Sequence, residues 1–304
     1  MKNRKLILLT LKLTVSSFLL YILFSKIGLK TFLDAIDEIN LLIVIASALI
    51  YIIATYVSAI RWRLLTFSDL STGRLFRLYM MGSFFNTILP GIIGGDAVKA
   101  YYLYKETGNP GISMASVFMD RYIGFISIML IALIALPFGI TYIKGTELEL
   151  VFPLAVVAFI AGSVAFFRLR VGASIKILKD FYGFFDAYGN LRETLPLFFK
   201  TLVLSAIIQL MNMVSVYIIS GGLNVSVPFV SIMIFVPIIV TVAMIPLSIS
   251  GLGIREAGFV ILFGKLGIKP EVAMSISLLW FISVVIGSLP GLIFYVAYRK
   301  RTED

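Results

Sequence analysis

Residues 75–99 read LFRLYMMGSFFNTILPGIIGGDAVK. The stretch opens as an apolar helix, Leu75–Leu89, of only 15 residues. That is roughly 22 Å at 1.5 Å per residue, short of the ~30 Å hydrocarbon core of a bilayer. It then meets Pro90-Gly91-Ile92-Ile93-Gly94-Gly95, which cannot continue an ordinary helix. A second short helix starts at the acid Asp96 and runs to about Lys105, where Glu106-Thr107-Gly108-Asn109-Pro110-Gly111 makes a water-facing turn. A second place has the same layout. Phe229–Ile245 is apolar, Pro246-Leu247-Ser248-Ile249-Ser250-Gly251-Leu252-Gly253 breaks it, and a short helix follows from about Ile254 to Lys265. Both breaks run Pro, a short gap, glycines, then an acid and an alanine at a helix start.

These breaks sit in a chain built for lipid. Of its 304 residues 60% are hydrophobic and 14% charged, with a mean hydropathy of +1.04. A water-soluble domain of this size exposes far more polar surface. Full spans are expected at about 6–25, 40–64, 112–138, 150–167, 196–219 and 271–297. The basic N-terminus before Leu6–Phe24 resembles a signal peptide, but the apolar run is long and no small-residue cleavage site follows, so it reads as a retained span. Residues 30–39 read as an amphipathic surface segment. Residues 168–193, where aromatics alternate with charges, read as a helix in the membrane interface. The fold class is therefore an all-α membrane protein. The expectation is a polytopic bundle of about six full spans plus two oppositely oriented re-entrant helical hairpins, arranged as an inverted repeat would be. One integral membrane domain over 1–304, without a soluble catalytic domain, accounts for the whole pattern.

Charge distribution sets the orientation. Sixteen Lys and Arg fall in the N-terminus, 61–77, 168–200 and the C-terminal end, against five in 25–39, 140–150, 220–228 and 264–271. The positive-inside rule then puts both termini in the cytoplasm. It also has the first hairpin enter and leave on the cytoplasmic side and the second on the outer side. The net charge of +10 is spread over short loops, so anionic lipid headgroups are the expected neighbours rather than nucleic acid. The absence of Cys and His excludes disulfides, thiolate nucleophiles, His-assisted catalysis and His/Cys metal sites. No metal and no cofactor is expected.

Among the few charged residues of the apolar zone, Asp96, Asp120, Arg121, Arg255 and Glu256 stand out. A charge at a helix centre costs at least about 2.5–3.5 kcal/mol on insertion, so each asks for a reason. Two readings stand side by side. The structural one has Asp96 and Glu256 stabilised at helix N-termini and ion pairs holding the hairpins to the bundle. The functional one makes a site of the breaks: unpaired N–H groups at the helix starts, glycines that admit a headgroup, arginines for a phosphate, and acids for an ammonium or a sugar hydroxyl. Candidate substrate-binding or translocation residues are Asn86, Pro90, Gly94, Gly95, Asp96, Arg121, Pro246, Gly251, Gly253, Arg255 and Glu256. Asn86, Gln209 and Asn212 also read as interhelical hydrogen-bonding residues, and Arg61 and Arg63 beside Trp62 as interfacial anchors.

Three motifs, 86–96 (NTILPGIIGGD), 116–124 (SVFMDRYIG) and 246–256 (PLSISGLGIRE), resemble the lysylphosphatidylglycerol synthase transmembrane-domain family of flippase-like integral membrane proteins, in order and spacing over about 85–297. The resemblance implies transfer of a polar or charged phospholipid or lipid-linked glycan headgroup between leaflets of a prokaryotic plasma membrane. It implies membrane lipids as partners: anionic or aminoacylated phospholipid, or lipid-linked sugar. A second copy of the chain or an envelope-biosynthesis enzyme are further partners of that kind. Two-part members carry a large soluble transferase domain after the membrane part. Here the sequence stops at Asp304, so lipid aminoacylation is not expected of it. The rival readings are an integral-membrane lipid-modifying enzyme, with Asp96 or Glu256 as general base, and a non-catalytic partner of an envelope glycosyltransferase.

Overall fold

The computed structural model describes residues 40–66, 68–88, 93–169, 191–244 and 251–303, and every regular element among them is helical. In chain order they are α1 (Leu41–Thr66), α2 (Thr72–Ile88), α3 (Ile93–Thr107), α4 (Pro110–Gly139), α5 (Leu148–Leu169), α6 (Leu191–Gly222), α7 (Phe229–Ala243), α8 (Ile254–Gly264), α9 (Pro270–Ser288) and α10 (Pro290–Glu303). The first expected span, the segment 30–39 and most of the interface helix lie outside the described residues, as do both break segments, 89–92 and 245–250.

Among the described residues, four helical stretches are long and apolar enough to cross a membrane: Leu41–Thr66, Pro110–Tyr142, Leu195–Gly222 and Pro270–Arg299. They coincide with four of the six expected spans. The fifth, at 150–167, falls in α5, whose apolar part Leu148–Ser163 is shorter than a full crossing. The last span is two helices: Leu289 ends α9 and Pro290 opens α10. Proline is at home there, because the first N–H of a helix has no partner to lose.

Local chemistry sets the helix starts. Asn109 caps α4, its Oδ1 accepting from the Ile112 N–H at 3.1 Å, with Pro110 as the first helical residue. Gly251 and Gly253 turn the chain into α8 at φ of +75° and +84°, a region that costs an L-side chain about 1–2 kcal/mol. Glu256, three residues on, reaches back to the Gly253 N–H at 2.5 Å.

The helices on either side of each break pack together, α2 with α3 and α7 with α8. Between the two pairs, α1 lies against α6 and α9, and α4 against α6 and α7. One apolar core runs through α4, α6, α7, α8 and α9 around Phe235, Phe259, Phe263 and Ile276. A smaller one joins the end of α1 to α2, α3 and α4 around Trp62, Leu75, Leu103 and Ile123. Outward faces are apolar too: Leu42, Ile53, Phe138, Val203, Ile261 and Ile293 are all exposed. In water such a surface would drive aggregation, whereas in a bilayer it meets its own kind.

Candidate functional site

Asp120, on α4 with no exposed surface, is the hub of the first charged cluster. It accepts from Arg61 on α1 through Nε (3.0 Å) and Nη2 (2.7 Å), from Lys99 Nζ on α3 (2.8 Å) and from the Tyr79 hydroxyl on α2 (2.9 Å). Four helices are thereby tied to one carboxylate. Arg61 also donates through Nη1 to Ser205 Oγ on α6 at 2.6 Å. Beside this hub, Asp96 on α3 takes a two-pronged bond from Arg121: Nε at 2.7 Å and Nη2 at 3.1 Å. Lys99 Nζ lies 3.9 Å from Asp96 Oδ1, so one ammonium serves both acids.

The second cluster has the same logic. Glu256, fully buried, receives Arg255 at 3.0 Å (Nε) and 2.6 Å (Nη2), the Ser277 hydroxyl from α9 at 3.0 Å and the Gly253 N–H. The Arg255 guanidinium lies 4.7 Å from the ring centre of Phe281, a cation–π contact. Each acid of the two clusters is satisfied by at least one cation, as a low-dielectric setting requires.

Between the clusters is a cavity of about 350 Å³. Arg61, Asp120 and Arg121 wall one part of it and Arg255, Trp280 and Phe281 another, with Asn86, Gln209 and Asn212 adding polar groups. Its size falls in the ~300–1,000 Å³ range of small-molecule sites. Arg121 is the charged side chain that opens most to it: 40% exposed, against 13% for its partner Asp96 and 10% or less for Arg61, Lys99, Asp120, Arg255 and Glu256.

Of the sequence candidates, Asn86, Arg121 and Arg255 line this cavity; Gly95 is bonded to Asn86, Asp96 to Arg121, and Glu256 to Arg255 and Gly253, while Gly251 turns the chain into α8. Gly94 is half-buried in the first turn of α3, while Pro90 and Pro246 lie outside the described residues. Two of the helix-start N–H groups expected to face a ligand are occupied. Gly95 N donates to Asn86 Oδ1 at 2.8 Å and Gly253 N to Glu256. Gly95 serves helix contact instead, because a Cβ there would collide with the Gly82 carbonyl and the Asn86 side chain. Asp96 and Glu256 stand behind the arginines and do not line the cavity. Gln209 makes the expected interhelical bond, to the Gly124 carbonyl at 3.2 Å; Asn212 bonds within its own helix, to Ile208.

Arg61 corrects the sequence reading most plainly. It is no interfacial anchor but a buried residue, 4% exposed, paired to an acid 59 positions away. Lys99, Tyr79, Ser205 and Ser277 were absent from the candidates. Only Lys99 carried a local signal, its i,i+3 spacing from Asp96.

The profile of the family described as the lysylphosphatidylglycerol synthase TM region matches residues 9–291. A UPF0104 membrane protein of Methanothermobacter thermautotrophicus is 28% identical, over 80% of this chain and 79% of that protein. Another, of Methanocaldococcus jannaschii, is 24% identical over 97% and 98%. A third, of Pyrococcus horikoshii, is 22% identical over 90% and 92%. With four apolar crossing helices and a profile match over most of its length, the chain is a polytopic membrane protein that belongs to the lysylphosphatidylglycerol synthase TM region family.

Proposed function

We propose that this protein is a flippase-type transporter that passes a polar, phosphate-bearing lipid headgroup between leaflets while the acyl chains stay in lipid. The observation that carries the reading is the cavity between the two broken helix pairs, with an arginine from each cluster on its wall, inside a molecule whose outer faces are apolar. An arginine fork suits the oxygens of a phosphodiester. Two helix pairs interrupted by proline and glycine, meeting at one polar cavity, fit the layout of a transporter with inverted repeats. In this reading α2–α3 is a re-entrant hairpin from the cytoplasmic side and α7–α8 one from the outer side, with both termini cytoplasmic. Substrate binding falls to Arg121 and Arg255. Asn86, Gly94, Gly95, Asp96, Gly251, Gly253 and Glu256 fix the backbone and the counter-ions that aim them.

The test is leaflet exchange of fluorescent phosphatidylglycerol in vesicles reconstituted with the full chain. Arg121→Ala, Asp96→Ala and Glu256→Ala should each cut the exchange rate at least tenfold at equal protein content. Wild-type rates in all three variants would overturn the proposal.

A further inference from the structure

Among the described residues the two clusters hold four cations, Arg61, Lys99, Arg121 and Arg255, against three carboxylates, Asp96, Asp120 and Glu256. The break segments 89–92 and 245–250 contain no ionisable residue to alter that balance. Within the two described clusters one positive charge is therefore in excess, in a setting where an uncompensated charge is costly. Where the excess sits is visible in the bonding. Asp120 is oversupplied, holding Arg61 by two bonds, the Tyr79 hydroxyl and Lys99. Asp96 has Arg121 at hydrogen-bond distance and Lys99 just beyond it, at 3.9 Å.

From this geometry we infer that Lys99 is an exchanging counter-ion: when a phosphodiester monoanion in the cavity takes the guanidinium of Arg121, Lys99 leaves Asp120 and replaces Arg121 on Asp96. The inference rests on the proposed reading of the cavity as an anion site and adds the charge of the ligand and the residue that makes its binding affordable to the fold. With one monoanion bound, every ion has a single partner: Arg121 with the phosphodiester, Lys99 with Asp96, Arg61 with Asp120, and Arg255 with Glu256. No charge is left over within the two clusters. Three features equip the residues for this. Arg121 is the exposed member of its pair, so a ligand reaches it first. Lys99 needs only to close the 3.9 Å gap to Asp96. Asp120 keeps two bonds from Arg61 and one from Tyr79 when Lys99 departs, so no buried acid is stranded. Without Lys99, the same ligand would strip Asp96 of its cation.

The move has its own reporter. Lys99 Nζ lies over the ring of Trp62, 4.8 Å from its centre, and the chain holds two tryptophans, Trp62 and Trp280. The experiment uses the full chain, labelled with 5-fluorotryptophan in detergent, with dihexanoyl-phosphatidylglycerol and dimethyl phosphate as probes. In wild type, bound dihexanoyl-phosphatidylglycerol should shift the ¹⁹F resonance of Trp62 (assigned with Trp62→Phe). Lys99→Met should bind it about 100-fold more weakly, because the ligand then leaves Asp96 unpaired. Lys99→Arg should restore affinity to within about tenfold, since it returns the cation. A Trp62 shift with dimethyl phosphate as well assigns the site to the phosphodiester alone; a shift only with the lipid assigns it to the headgroup in its lipid, and both support the exchange. Wild-type affinity in Lys99→Met, or binding that leaves the Trp62 resonance in place, overturns the exchange while the anion site stands. No binding of either probe by wild type overturns both.

Discussion

Asp120 shows how much a single buried carboxylate organises. Its two oxygens receive donors from α1, α2 and α3 while it sits on α4, and removing its charge leaves Arg61 and Lys99 facing each other in the apolar interior. Breaking a buried pair from one side typically costs about 3–5 kcal/mol. Asp120→Asn is thus expected to lower the thermal midpoint of the detergent-purified protein sharply, read by loss of the monodisperse chromatographic peak on heating. Lys99→Met is the informative contrast. It removes the surplus cation and leaves three cations with three acids, so its midpoint should match or exceed wild type. Equal losses in the two variants would contradict the charge count. The sequence marked Asp120 through the expense of a charge in an apolar helix. It could not mark Arg61, because a basic residue at the end of an apolar run has the same local pattern whether it snorkels to headgroups or turns inward to an acid 59 positions on.

At the scale of elements, the apolar runs and their punctuation carried most of the information. Four long helices fall where hydropathy put them, and α3 and α8 begin within a few residues of where glycine and acid suggested. The division of the last span at Leu289 was hidden, because a count of apolar residues runs straight through a proline that is comfortable at a helix start. The role of Gly95 was hidden too. Permissive backbone and close helix approach call for the same residue, and only the neighbour tells them apart. That neighbour is the Gly82 carbonyl on α2, with Asn86 one turn further on. Gly95→Ala should therefore force α2 and α3 apart and cost about 1–3 kcal/mol, with the Asn86–Gly95 bond lost as the helices separate. Gly73, in the first turn of α2, has nothing within 4 Å of a new Cβ, so Gly73→Ala should leave the thermal midpoint unchanged or raise it slightly. If both substitutions behave alike, the seam between α2 and α3 is not held by close approach.

For the whole molecule, the proposed orientation makes one consequence easy to measure, because the chain contains no cysteine and single cysteines can be placed without first removing any. In that proposed orientation, argued from the asymmetry of Lys and Arg, the loop before α2 and the C-terminal end face the cytoplasm and the turns after α4 and before α9 face outside. Asp69, Lys144 and Lys269 are exposed in those connections. In intact cells a membrane-impermeant maleimide should therefore label Lys144→Cys and Lys269→Cys, and should reach Asp69→Cys and Thr302→Cys only after lysis. The four sites also test the opposed hairpins. Asp69 precedes the α2–α3 pair and Lys269 follows the α7–α8 pair, so labelling of both from one side would place the two breaks on the same face. That result would remove the inverted arrangement and, with it, the argument for a path between leaflets. It would leave the cavity and its ion pairs intact, because those follow from the packing of α1, α2, α3, α4, α6, α8 and α9 around the charges and not from the direction in which the bundle is inserted.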